Sequence, residues 1–104
     1  MGRRTGLESR PSLYVESGGW PHCELAVVAP PEAHLARGAA LRLHEAMESN
    51  RWGLRETSRK TGLSTKVLAN LLHGHTWPTL PTIARLEMRL ETEIWGDEHT
   101  STPT

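Results

Sequence analysis

The stretch LRETSRKTGLSTKVLANLLHG, residues 54–74, decides the fold of this chain. Gly62 stands near its middle, where a residue in the left-handed conformation can end a helix without steric cost. Ser64 follows two residues later, and its side-chain oxygen can accept a backbone N–H from the first turn of a new helix. The stretch therefore predicts two short helices joined by a tight turn, with Gly74 ending the second.

The second of these helices has an inner and an outer side. Leu68, Leu71 and Leu72 recur at the three- and four-residue spacing of one helical face, so we expect them to point into a core together with Leu63 from the turn. The outer side is then formed by polar and small residues, namely Thr65, Lys66, Ala69, Asn70 and His73.

Helical patterns also flank this stretch. After the boundary signal Pro30-Pro31 a helix is expected from Glu32 to about Asn50. One face of it carries apolar residues at i, i+4, i+7 and i+11, which are Ala36, Ala40, Leu43 and Met47.

A last helix is expected near residue 80, with Thr79 as its cap. Its predicted inner face consists of Leu80, Ile83, Leu86, Leu90 and Ile94, and we expect Trp95 to close the core.

The first thirty residues follow a different pattern. Residues 1–10 are polar and lack periodicity, which favours disorder or weak attachment. Strand-forming residues at 12–16 and 24–29 flank a Gly-rich turn, and Trp20-Pro21 would make the connecting loop long. Two interpretations stay open, a short β-hairpin and an extended arm. The expected division is an N-terminal extension at 1–31, for which the roles of an arm and of a dimerisation segment both stay open, a helical domain at 32–95 and a disordered tail at 96–104.

Composition limits the core and places the charge. The 104 residues include no Phe and are 37% hydrophobic, so a small domain that gains from association with a second copy is expected. The formal net charge is zero, yet residues 51–77 hold five cations and one acid, which gives +4. Residues 80–104 hold two cations and five acids, which gives −3. The middle of the chain is therefore basic and its end acidic.

Several function classes are disfavoured by the sequence. Cys23 is the single cysteine, so no intrachain disulfide can form. No apolar run approaches the roughly 20 residues of a membrane span, and a cytoplasmic protein without membrane contact is expected. No G-x-S-x-G, P-loop or Cys/His nucleophile pair is present, so we expect neither an enzyme nor a cofactor. His73 and His75 lack an evident third ligand, which favours a capping or phosphate-binding role over a metal site.

The order of these markers resembles the Xre/Cro-type helix-turn-helix of bacterial and phage repressors over roughly residues 33–95. The matching features are the Gly62-Leu63 turn, the Ser64 cap, Leu71-Leu72, Gly74, Trp77-Pro78 and a helix that starts Leu80-Pro81-Thr82. The resemblance implies an all-α, compact, lambda-repressor-like bundle of four to five helices that binds duplex DNA. The chain departs from the family at Thr57, Ser58 and Thr61, where relatives usually carry apolar residues or alanine.

The resemblance also implies a site. Relatives lay the second helix of the motif in the major groove. Carried over, Thr65, Lys66, Asn70 and His73 stand where base edges or nearby phosphates are touched, and Ala69 would allow close approach or meet a thymine methyl group. Contacts to phosphates are implied for Ser64 with the first N–H groups of its helix, and for Arg55, Arg59 and His75.

The function expected from this likeness is sequence-specific binding of double-stranded DNA by a transcriptional regulator, a repressor, that acts as a homodimer. An alternative is the antitoxin of a toxin–antitoxin pair, or another protein-interaction module, that neutralises a toxin through its N-terminal segment. A phage or plasmid control protein is a third reading, since all three share the motif.

Overall fold

A small antiparallel hairpin precedes a bundle of helices in the computed structural model, which describes residues 7–90. In chain order the elements are a 3₁₀ helix at Pro11–Tyr14, strands β1 (Val15–Gly19) and β2 (His22–Leu25), and helices α1 (Pro31–Asn50), α2 (Leu54–Thr61), α3 (Thr65–His73) and α4 (Leu80–Leu90). The prediction of a mostly helical bundle is confirmed at this level. Within residues 7–90, none of the helices has the length and apolar character that crossing a membrane requires.

The turn between α2 and α3 forms as the sequence predicts. Gly62 takes the left-handed conformation with φ +79°, and its N–H donates to Ser58 O at the end of α2. Ser64 Oγ accepts the Val67 N–H at 3.1 Å and caps α3. Gly74 ends α3 with φ +68°. α2 therefore ends, and α3 begins and ends, at the capping residues that the sequence predicts.

α1 provides a surface of small side chains for the core. Its buried residues are Ala33, Ala36, Ala39, Ala40, Leu43 and Ala46. Because alanine ends in a single methyl group, neighbouring helices can approach this face closely. Leucines from the other helices then fill the interior, namely Leu68, Leu71, Leu86 and Leu90. The predicted inner face of the helix is confirmed, with Met47 half-buried at the edge of the core.

The hydroxyl residues of α2 all have hydrogen-bond partners. Thr57 and Thr61 are 0% exposed, and each hydroxyl donates to the carbonyl four residues back, Gly53 O at 2.7 Å and Thr57 O at 2.8 Å. Thr61 Oγ1 also accepts the Leu63 N–H at 3.2 Å, and Ser58 Oγ donates to Leu63 O at 2.6 Å. Polar groups thus occupy the core without an unsatisfied hydroxyl, and they hold the turn to α2.

α4 confirms its predicted cap but not its whole inner face. Thr79 Oγ1 accepts the Thr82 N–H at 3.3 Å. Leu86 and Leu90 are buried, whereas Leu80 is 80% exposed, so its placement on the inner face was wrong. At about 100° per residue, Leu80 lies roughly a quarter turn away from the line through Leu86 and Leu90. The predictions for Ile94, Trp95 and residues 96–104 lie outside the described residues.

The N-terminal extension forms the hairpin rather than the arm, with boundaries different from those expected. Residues 11–14 are a 3₁₀ helix instead of a strand, since Pro11 at its first position has the fixed φ that suits a helical turn. Gly19 pairs with His22, so the connection is short instead of long. β2 ends at Leu25, and Val27 and Val28 are 98% and 80% exposed beyond it.

This extension packs on the helices. Trp77 Nε1 donates to Glu8 O at 2.8 Å, while residues 7–10 are irregular and exposed, and residues 1–6 lie outside the described part. Trp20 packs against the core and donates from Nε1 to Leu71 O at 3.2 Å. Arg37 Nη1 donates to Cys23 O at 3.2 Å and ties β2 to α1.

The buried threonines yield a stability prediction. Thr61→Val removes the acceptor of the Leu63 N–H, so we expect the free energy of unfolding to fall by about 1–3 kcal/mol. Thr57→Val is the matched control, and it should cost less because Gly53 O still accepts the Thr57 N–H at 2.9 Å. Urea denaturation of both variants measures the difference. Equal losses would contradict the role given to the Thr61 hydroxyl.

The two left-handed glycines yield a second stability prediction. At Gly62 an added Cβ would meet only the Arg85 side chain, at 3.5 Å, so Gly62→Ala should cost about 1–2 kcal/mol of backbone strain. At Gly74 the Cβ would lie 2.8 Å from both Ser12 Cβ and the Trp20 ring. Gly74→Ala should therefore cost about 1–3 kcal/mol more. Thermal unfolding compares the stability of the two variants. Equal losses of stability would mean that Ser12 and Trp20 do not pack closely against the end of α3.

Candidate nucleic-acid interface

α3 is anchored on one side and open on the other. Leu68 and Leu71 are 0% and 3% exposed, which fixes the rotation of the helix about its axis. Thr65 and Lys66 in the first turn are exposed. Because Ser64 caps the helix, the first turn is well ordered while its unbonded N–H groups point outward along the axis. An anion or a polar edge can approach at this end.

Ala69 and Asn70, in the second turn, are half-buried rather than fully exposed. Asn70 borders a small cavity of about 120 Å³ between α3 and the loop that follows it. The lining combines an amide, hydroxyl groups and apolar surface, and it consists of Val67, Asn70, Leu71, Thr76, Trp77, Pro78, Thr79 and Thr82. This surface holds donors and acceptors beside apolar groups, a mixture that suits the edge of a base.

His73 and His75 lie on either side of Gly74, and both are exposed. Their rings stack with centroids 5.4 Å apart and planes inclined by 27°. His73 Nδ1 lies 2.9 Å from Ala69 O, and the His75 N–H donates to Asn70 O at 2.9 Å. These contacts satisfy carbonyls at the end of α3, as the capping interpretation predicts. Across residues 7–90, no group of three or more His, Cys, Asp or Glu is placed to hold a metal ion.

α2, the helix before the turn, also presents cations to solvent. Arg55 and Arg59 are both exposed. The Arg59 guanidinium forms an ion pair with Glu56, one turn earlier on the same helix. Such exposed pairs contribute at most about 1 kcal/mol, so a phosphate can take the place of the carboxylate. Lys60 is turned elsewhere, since its Nζ lies 5.6 Å from the centroid of the Trp52 ring.

Arg85 is a cation that the sequence reasoning missed. It was counted with the acidic end of the chain, but its side chain lies beside the α2–α3 turn, 3.5 Å from where a Gly62 Cβ would stand. No local signal predicts this, because it depends on how α4 packs against α2. Glu87, the acid nearest to it in sequence, is bound to Arg42 of α1 with Nε to Oε2 at 3.0 Å.

The residues assigned from sequence therefore occupy two neighbouring elements. Ser64, Thr65, Lys66, Ala69, Asn70 and His73 follow α3 from its cap to its last residue, His75 comes directly after it, and Arg55 and Arg59 come from α2. We call these nine residues the α3 surface. Comparisons of the chain with protein-family models, curated proteins and solved structures found no match.

Proposed function

We propose that this chain binds double-stranded DNA sequence-specifically through the α3 surface and acts as a transcriptional repressor. The observation that supports this most is that α3 has a buried leucine side and an outer side where Thr65, Lys66 and His73 are exposed and Asn70 is half-buried, with caps at both ends. α2 precedes it through a tight turn, the arrangement of a helix-turn-helix in a lambda-repressor-like bundle. A helix about 10–12 Å across fits a major groove about 12 Å wide.

The side chains on α3 have the chemistry that reads base edges. The Asn70 amide can donate to and accept from adenine, and the Lys66 ammonium can donate to guanine O6 and N7. The Thr65 hydroxyl serves either donor or acceptor positions. Each good contact of this type discriminates against a wrong base by about 1–3 kcal/mol.

Phosphate contacts come from the rim of the same surface. Arg55 and Arg59 offer guanidinium groups, and His75 offers an imidazole beyond the end of α3. The N-terminal N–H groups of α3, next to Ser64, carry the positive end of the helix dipole and suit a phosphate oxygen. These contacts position the protein on the duplex without reading its sequence.

A homodimer is part of this proposal. An open groove of about 380 Å³ lies between α1 and α4. Its lining is mostly apolar, including Leu35, Trp77, Pro78, Leu80 and Ile83, and it also contains Glu32 and Arg42. Leu35 and Leu80 are 69% and 80% exposed, an unfavourable state for large apolar side chains in water. Trp77 and Pro78 directly follow the α3 surface in the chain. A two-fold contact at this groove would bring two α3 helices to one side of a dimer.

A second candidate is the protein-interaction module, such as an antitoxin. The exposed apolar residues of the N-terminal region favour it, since Leu13, Val27 and Val28 are 55%, 98% and 80% exposed. A protein partner such as a toxin could cover them while α3 binds DNA. A toxin-like gene next to the gene of this chain would favour this reading, as would a stable complex of the two products. A phage or plasmid control protein would use the same α3 surface.

The base contacts are tested with duplexes selected from a random pool. We expect Asn70→Ala to weaken binding of the selected duplex by about 5- to 150-fold and to relax its sequence preference. Lys66→Ala should weaken binding and reduce the slope of log K against log salt by about 1 if it meets a phosphate. Arg89→Ala is the charge-matched control on α4. Fluorescence anisotropy measures each Kd, and unchanged values for both α3 variants would rule out this surface.

The dimer is tested by its concentration dependence. Leu80→Asp should raise the dimer dissociation constant about tenfold or more, because the groove would have to bury a charge, while the monomer stays folded. Val28→Asp is the matched control, since Val28 is an apolar residue outside the groove and is 80% exposed like Leu80. Sedimentation equilibrium measures both. If Leu80→Asp and the control dimerise equally well, the dimer interface does not lie at this groove.

A further inference from the structure

The N-terminal segment and the end of α3 are joined by hydrogen bonds in both directions. Toward the helix, the Ser12 N–H donates to Gly74 O at 3.1 Å and Trp20 Nε1 donates to Leu71 O at 3.2 Å. In return, Trp77 Nε1 donates to Glu8 O at 2.8 Å. Because these bonds span up to 69 residues of sequence, they join parts of the chain that nothing local holds together.

Aromatic packing adds to this contact between the N-terminal segment and the end of α3, which we call the junction. The Tyr14 ring meets Trp77 edge-on with centroids 6.2 Å apart, and Tyr14 is buried. The Tyr14 hydroxyl accepts the Glu8 N–H at 3.1 Å, which holds the start of the segment against its own 3₁₀ helix. The absence of a side chain at Gly74 lets Ser12 and Trp20 lie directly on the backbone there.

The junction sits between the two histidines of the α3 surface. His73 and His75 flank Gly74, and the loop that follows runs to Trp77. The last carbonyls of a helix have no partner within it, so groups from outside decide how the chain leaves the helix. Here the Gly74 and His75 N–H groups donate to Leu71 O and Asn70 O, which turns the chain out of the helix. Trp20 Nε1 is a second donor to Leu71 O, and the Ser12 N–H donates to Gly74 O, so the two residues reinforce the direction of residues 74–77.

Direct contact of the hairpin with DNA is disfavoured by charge. Between residues 11 and 30 the charged side chains are Glu16 and Glu24, both acidic and both exposed. Carboxylates repel phosphates, and this stretch has no Lys or Arg to offset them. A role through α3 fits the hairpin better than a role on the duplex.

We infer that Trp20 and Ser12 are positioning residues of the α3 surface. They act through the backbone of Leu71 and Gly74 and hold His75 where it meets a phosphate. The 3₁₀ helix and the hairpin, residues 11–25, are thus a part of the DNA-binding site that touches no DNA. This inference rests on the proposed function, and it assigns to residues 11–25 the role of holding the end of α3 in place on the DNA-binding surface.

The test uses a double-mutant cycle in the full chain. Trp20→Phe removes the indole N–H and keeps an aromatic ring, so we expect a folded protein by circular dichroism. Its Kd for the selected duplex should rise about 3- to 10-fold, the effect of one lost hydrogen bond. In the His75→Ala background the same substitution should change Kd less than about 2-fold, because the contact that Trp20 positions is already absent.

Lys66→Ala is the matched background at the opposite end of α3. In the Lys66→Ala background, Trp20→Phe should still raise Kd about 3- to 10-fold, so that the fold-changes of the two substitutions multiply. A merely structural role would weaken binding equally in both backgrounds, and that result would overturn the inference while the proposed function stands. Absence of specific binding by the unsubstituted chain would overturn both.

Trp77→Phe provides a second route if Trp20→Phe does not fold. It removes the bond to Glu8 O, which releases the same segment from the other side. The same dependence on His75, and independence of Lys66, is expected. Equal losses in the two backgrounds would again overturn the positioning role.

Discussion

The structure depends on a backbone position without a side chain, Gly74. Its positive φ ends α3, and its bare Cα lets Ser12 and Trp20 lie against the helix end. No other amino acid at this position meets both requirements, since a side chain would be strained in the left-handed conformation and its Cβ would lie 2.8 Å from two neighbours. Through this contact residues 11–25 pack on the helical bundle, and the proposed DNA-binding surface is supported by a segment distant in sequence.

Much of the fold follows from short-range rules. α2 ends at Gly62 and α3 begins after Ser64, as predicted, because helix caps depend on neighbours within a few residues. The spacing of the alanines on α1 likewise predicts which side of the helix is buried, because helical periodicity also depends only on residues within the helix. Short-range bonding also explains why the threonines of α2 can be buried where apolar residues would be expected. Their hydroxyls donate to carbonyls four residues back, so polar residues occupy the core without unsatisfied groups.

The rest depends on contacts between distant segments. Leu80 matches the apolar spacing of α4, yet it faces solvent because helix packing sets which part of an apolar stripe is covered. Trp20 is an aromatic residue after a Gly-rich turn, and nothing local indicates that its indole donates to Leu71 O. The outward residues of α3 were predictable from periodicity, whereas the approach of Arg85 to the turn and the stacking of His73 on His75 were not.

The central claim is that the α3 surface meets duplex DNA. Titration of the ¹⁵N-labelled chain with a selected duplex, followed by two-dimensional NMR, tests it most directly because every amide reports separately. The account predicts that the largest chemical-shift changes fall on residues 64–70 and 73–76. Changes that concentrate on β1, β2 or the groove around Leu35 and Leu80, with α3 unaffected, would contradict it.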